Sequence, residues 1–192
     1  MQNSQSTIRR TATTITTAVM VLLLWQNNTP TEVFQKKFSF QTYLFEVETN
    51  ASGAVRDLKI NVLRDKKPLI TIRQKIDGWV TAAAVADLDK NNSPEIYIYA
   101  CSYGSGAFGK VYGFQFYPTD FLPINMTPLT AQQSSGYMGH DNFKIENGVL
   151  ARRFPVYRAG DSNAQPTGGA RKIEYTLKEV NKKLLLSVSK VE

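Results

Sequence analysis

Oxygen-bearing side chains recur through Asp87-Leu88-Asp89-Lys90-Asn91-Asn92-Ser93-Pro94-Glu95, with Asp87, Asp89, Asn91 and Glu95 at positions one, three, five and nine. A hard cation such as calcium takes ligands of this type, and alternate spacing lets a loop fold around it. Two departures weigh against an EF-hand loop. Position six is Asn92, where that loop uses glycine for its sharp bend, and position twelve is Ile98 instead of a bidentate glutamate. The competing reading is a polar β-turn whose Asp and Asn side chains cap their own backbone. The turn is the stronger of the two, and calcium stays open beside it.

His140 is the chain's one histidine, in Gly139-His140-Asp141, and Asp161 lies in a glycine-rich loop. With Ser102, Ser105 or Ser135 they could compose a hydrolase triad, but Gly104-Ser105-Gly106 lacks the G-x-S-x-G spacing of a nucleophile elbow. Cys101 sits in an apolar run with no basic neighbour, which favours a buried thiol over a nucleophile. One cysteine and one histidine cannot build a two-cysteine zinc site, and a lone cysteine forms no intramolecular disulfide. Gly168-Gly169 has neither the lysine nor the helix of a phosphate loop. No catalytic centre and no cofactor are expected, so binding is the expected task.

The constellation left over is Tyr103-Gly104-Ser105-Gly106-Ala107-Phe108-Gly109-Lys110. Its glycines open the backbone to close approach, while a hydroxyl, an aromatic ring and a cation are carried beside them. Two strand-like runs, Ile96–Cys101 and Val111–Tyr117, flank it as hairpin partners. A loop held on rigid strands suits entry into another protein's groove.

The elements around this loop read as short strands. Phe38–Val47, Val55–Leu63 and Leu69–Ile76 are β-rich, with Leu58, Ile60 and Val62 on one face and Ile70, Ile72 and Ile76 on another. Turns are expected at Asn50–Gly53, at Asp65–Pro68, at Asp77-Gly78 and at Asn181-Lys182. Trp79–Leu88 reads as a buried run. Asn147-Gly148 marks a hairpin between Phe143–Glu146 and Val149–Tyr157. Thr119–Asp141, with Pro123 and Pro128, reads as a long loop with a short helix near Thr130. Ala159–Ala170 is a second glycine-rich loop, followed by strands at Ile173–Leu177 and Leu184–Val188. The expected fold is all-β, an antiparallel β-sandwich of about eight to ten short strands over residues 34–192.

Apolar residues, methionine and cysteine included, make up 42% of the 192 residues, enough for one core and too many for a disordered chain. The formal charge of +7 includes Arg9 and Arg10, and the remaining cations form scattered pairs such as Lys36-Lys37 and Arg152-Arg153. That pattern reads as a solubilising balance, and no nucleic-acid motif accompanies it. Residues 1–33 read as a secretory signal or membrane anchor plus linker: a basic start, neutral Thr11–Thr17, then the apolar Ala18–Trp25. The apolar run is short for a membrane span, no A-x-A site follows it, and an uncleaved anchor stays open. Location in the periplasm, or export with anchoring at the cell envelope, is expected.

Several blocks carry a family resemblance. The run Asp87-x-Asp89 to Ile98, Gly104-Ser105-Gly106-Ala107-Phe108-Gly109 and Val111-Tyr112-Gly113 resemble the periplasmic inhibitors of i-type lysozyme. So do Gly136-Tyr137-Met138-Gly139-His140-Asp141-x-Phe143, Phe154-Pro155-Val156-Tyr157-x-x-Gly160-Asp161-x-Asn163 and Pro166-Thr167-Gly168-Gly169-x-Arg171. The resemblance spans about residues 80 to 180, in order. It implies a periplasmic β-sandwich whose Ser-Gly-x-Tyr loop enters the lysozyme cleft near its catalytic carboxylates. Carried over, Ser105 is the hydroxyl donor and Gly106 the hinge. Phe108 stands where the family has tyrosine: its ring can fill an apolar pocket but brings no hydroxyl, and an acceptor left unpaired costs roughly 1–3 kcal/mol. Tyr103 and Lys110 are the neighbours able to compensate.

Two functions follow as expectations. One is a protein inhibitor blocking a glycan-hydrolase cleft, an i-type lysozyme's, with Tyr103–Phe108 and Lys110. The other is a cell-envelope binding or adhesion module, calcium-stabilised through Asp87, Asp89, Asn91 and Glu95. A third, an envelope hydrolase using His140 and Asp161, needs a hydroxyl within reach of the imidazole.

Overall fold

Alternating apolar residues become strands wherever a second apolar face covers them. The computed structural model describes residues 33–50 and 53–192, so the signal or anchor segment, apart from Val33, lies outside the described residues, as do Ala51 and Ser52 of the first expected turn. Twelve strands are formed among the described residues: β1 (Gln35–Phe40), β2 (Tyr43–Thr49), β3 (Val55–Arg64), β4 (Lys67–Asp77), β5 (Trp79–Ala86) and β6 (Glu95–Cys101). They continue as β7 (Gly109–Phe116), β8 (Phe121–Met126), β9 (Asn142–Glu146), β10 (Val149–Pro155), β11 (Ala170–Val180) and β12 (Lys183–Val191). No helix occurs among the described residues. The all-β class is as expected, with a higher strand count.

The first four strands form an antiparallel meander, β1-β2-β3-β4. The other eight form one sheet in the order β5-β6-β7-β8-β12-β11-β10-β9. Strand β6 explains how the layers stack, because it is buried along nearly its whole length. Ile96 and Ile98 on one face meet Phe45, Ile60 and Val62 of the meander. Tyr97 and Tyr99 on the other face meet Phe143, Phe154 and Tyr175 from strands β9, β10 and β11 of their own sheet. The large sheet thus curls over itself, bringing its edge strands β5 and β9 into contact.

Three expectations change. Phe38–Val47 is two strands, because Gln41 adopts φ 50 and turns the chain between β1 and β2. The long loop after Thr119 contains β8 despite Pro123. The ladder from β8 to β12 begins only at Ile124, so Pro123 has a paired neighbour on β7 alone and its missing N–H is tolerated. Near Thr130 there is a run of turns over residues 131–136 instead of a helix. There Thr130 and Gln133 cap each other's backbone N–H, a capping box with no helix to follow. The hairpin turns agree with expectation: Asn147 and Gly148 have φ 50 and 74, and Asn181 and Lys182 have φ 51 and 61.

Candidate functional site

Strands β6 and β7 pair in register down to Cys101 and Gly109, leaving residues 102–108 as the connecting tip. Inside the tip, Ser102 N–H donates to Phe108 O and Phe108 N–H donates back to the Ser102 hydroxyl at 3.0 Å. Gly104, at φ 114, and Ala107, at φ 42, make the bends. Ser105 is exposed at the apex. Phe108 is 47% exposed, one of the most exposed large apolar residues described. Its ring folds back over Gly106, where a Cβ would lie 2.4 Å from Phe108 Cε2, and meets the edge of Tyr137 at 5.7 Å. Gly106 is therefore the floor on which Phe108 rests, a more specific reason for glycine than hinge freedom.

Not every tip residue is displayed. Tyr103 packs against Trp79, with ring centroids 5.0 Å apart and the planes tilted by 57°, and its hydroxyl accepts from the buried Arg56 at 2.9 Å. Lys110 pairs with Asp77 at 2.7 Å. Lys110 nevertheless stays exposed, so the outward set is Ser105, Phe108 and Lys110, with Met138 and His140 beside the first two.

The tip is backed by two segments remote in sequence. Gly139, at φ 95, passes so close that a Cβ would sit 1.8 Å from Gly106 O. The next residue, His140, donates its backbone N–H to Gly106 O at 2.8 Å and Ala107 O at 3.2 Å. From the other side, the Asn163 amide donates to Ser105 O. Blocks around residues 105, 140 and 163 therefore converge on one small wall.

Below the wall lies an ion pair. The Asp141 side chain is fully buried; it accepts from Arg152 Nε at 2.7 Å, from Gly109 N–H at 2.7 Å and from the Tyr137 hydroxyl. Burial works against the Arg152 charge, but the hydrogen bond and field of Asp141 outweigh it and hold its pKa above the ordinary value. The guanidinium also lies over the rings of Tyr137 and Phe154 at 4.8 and 5.3 Å. Burial, followed by hydrogen bonding to Asp141, raises the Tyr137 hydroxyl as well. Arg152 is thus no member of a solvated basic pair with Arg153; it faces inward with Leu150 and Phe154. That inward arginine on an apolar face was the available signal for a buried partner, and the Asp141 pairing is invisible to spacing.

The acidic stretch forms the polar turn expected of it. Asp87 accepts from the backbone N–H of Asn91 and Asn92, both at 3.0 Å, and Asn91 caps Ser93 N–H at 2.7 Å. Asn92 takes φ 65, which asparagine tolerates without a glycine. Oxygens of Asp87, Asp89 and Glu95 come within 4.8 Å of one another. Asn91 is engaged with Asp89 through its own amide nitrogen at 2.9 Å. Glu95 is fully buried, and accepts from Leu88 N–H and Gln115 Nε2. Burial, with Asp89 and Asp87 adding repulsion, outweighs the Leu88 hydrogen bond and pushes its pKa up to about 8.

Other chemical candidates are spent locally. Asp161 accepts from Arg158 and Thr167 N–H within its own loop, at 2.7 and 2.8 Å, which lowers its pKa. The His140 ring meets Asn163 Oδ1 at 3.2 Å and not Asp161. Cys101 is half-buried at the end of β6, and burial raises its thiol pKa, the opposite of an activated nucleophile. Comparison with protein-family models, with curated proteins and with solved structures found no match in any of the three.

Proposed function

We propose that this domain is a proteinaceous inhibitor whose Ser105–Phe108 tip plugs the cleft of a glycan hydrolase, an i-type lysozyme, in the periplasm or at the cell envelope. It acts by binding, forms no covalent bond and needs no cofactor. The observation that carries this reading is convergence. Blocks resembling the lysozyme inhibitors at residues 104–109, 136–141 and 157–163 are far apart in the chain, yet meet at one tip whose outward groups are a hydroxyl and a half-exposed ring. Such a tip enters a cleft with little loss of backbone freedom.

The test is a titration of the full chain against i-, c- and g-type lysozymes, following cell-wall lysis. Selective inhibition of the i-type enzyme is expected. Ser105→Ala with Phe108→Ala removes one hydroxyl and the ring, about 1–3 kcal/mol together or roughly 5- to 150-fold in affinity. A folded chain that inhibits none of the lysozymes overturns the reading.

A second reading, a calcium-stabilised envelope binding module, is favoured by the clustered oxygens of Asp87, Asp89 and Glu95. It requires the native state to melt higher in calcium than in chelator.

A further inference from the structure

Three consecutive carbonyl oxygens of the tip point inward, and each is met by a donor from outside the tip. Ser105 O accepts from Asn163 Nδ2, while Gly106 O and Ala107 O accept from the backbone N–H of His140. We propose that Asn163 is the positioning residue of the tip, tying the apex carbonyl of Ser105 to the His140 side chain and through it to the body of the domain. Its importance for inhibition rests on the reading above; the brace itself does not.

The chemistry of the partners fixes the orientation of the amide. Ser105 O is a carbonyl and can only accept, so the nitrogen of the Asn163 amide must face it. Oδ1 then faces His140 Nε2 at 3.2 Å, and the imidazole must carry a proton on that nitrogen. Protonating Nδ1 leaves that donor in place, so the brace holds whether the imidazole is neutral or charged. Asn163 is itself anchored: the hydroxyl of Tyr157, a residue 7% exposed, donates to its backbone carbonyl at 2.9 Å. The strut therefore runs from the buried Tyr157 through Asn163 to the apex. With its carbonyls satisfied from behind, the tip has the Ser105 hydroxyl and the Phe108 ring left for a partner.

The brace is tested first on the free full-length protein by amide hydrogen exchange. Ala107 N–H donates to Gly104 O, and Phe108 N–H to the Ser102 hydroxyl, so both report tip closure. Asn163→Ala is expected to speed exchange at both by 10-fold or more, while Gly109 N–H, held by the buried Asp141, stays protected. Asn163→Asp keeps the shape but sets a carboxylate against a carbonyl oxygen. Protection should be lost at neutral pH and return below about pH 4, when the acid gains a proton to donate. Wild type at each pH serves as the control. A residue that only fills space would show no such recovery.

Unchanged exchange in both variants overturns the brace. Faster exchange with undiminished inhibition, in a chain that does inhibit, overturns its part in binding. A wild-type chain that inhibits no lysozyme defeats the inhibitor reading, and the exchange result still decides the brace. Faster exchange together with a roughly 10-fold weaker inhibition supports both.

Discussion

Glu95 should make this fold lose stability as pH rises through neutrality. Its carboxyl is fully buried and its pKa stands at about 8, against an ordinary value of 4.5. Below the ordinary value both folded and unfolded chains are protonated, and the contribution is fully present. Between about 4.5 and about 8 only the folded state keeps the proton, so each pH unit costs up to ~1.4 kcal/mol. Above about 8 the contribution is gone. The whole window amounts to a ceiling of ~4–5 kcal/mol, a large part of what holds a small domain folded.

Urea melts at about pH 5, 6, 7 and 8 would measure the slope, with Glu95→Gln alongside. Glutamine keeps the acceptor for Leu88 N–H and Gln115 Nε2 but cannot ionise. Groups remote from Glu95 contribute equally to both proteins, so the difference between the two curves isolates Glu95 together with its coupling to Asp87 and Asp89. Wild type should fall relative to the variant across that range. A flat difference would mean that the carboxyl is ionised in the native state at neutral pH, which burial among Leu88, Gln115 and two further acids should forbid.

Calcium supplies a related prediction. If the oxygens of Asp87, Asp89 and Glu95 take the ion, calcium should raise the wild-type melting temperature most at about pH 8, where the site competes with a proton least, and leave Glu95→Gln nearly unmoved; equal melting in calcium and chelator removes that reading. Asp141→Asn should destabilise the domain by about 3–5 kcal/mol in denaturant melts, because it leaves the Arg152 charge buried without its carboxylate. Adding Arg152→Met should restore much of that loss, and a single-variant cost below about 1 kcal/mol would show that the rings around Arg152 suffice alone.

Local chemistry was legible in the sequence, and long-range chemistry was not. Asn147-Gly148 and Asn181-Lys182 announce their turns because positive φ suits few residues, and both turns are formed. The alternation through Leu58, Ile60 and Val62 announces β3 because a half-buried strand repeats every second residue. Strand β8 was hidden by Pro123, since a proline argues against a strand unless the missing N–H falls where no ladder needs it. The tip was legible as a segment but not as a surface. Whether Tyr103 points out or packs against Trp79, and whether Arg152 is solvent or core, depends on strands that meet only after folding. Asn163 was legible as the end of a resembling block but its task was not, because that task is set by a carbonyl 58 positions away.

The same geometry decides which neighbour can stand in for the hydroxyl that Phe108 lacks. Tyr103 has one, but turning it outward would pull its ring away from Trp79 and withdraw a hydrogen bond from Arg56, which is 1% exposed. Losing a hydrogen bond to a buried charged group costs about 1.5–3 kcal/mol, comparable to anything the hydroxyl could gain in a cleft. Lys110 is held differently. Its ion pair with Asp77 leaves the two side chains 48% and 52% exposed, and such a pair contributes at most about 1 kcal/mol. A carboxylate-bearing cleft could draw the ammonium away from Asp77 at little cost, exchanging one acid partner for another. On the inhibitor reading, then, Lys110 answers for the missing hydroxyl and Tyr103 stays a strut. Recognition by this chain should accordingly depend more on salt than recognition through a tyrosine would, because a lysine's attraction to an acidic cleft is screened by ions and a phenol's hydrogen bond is not.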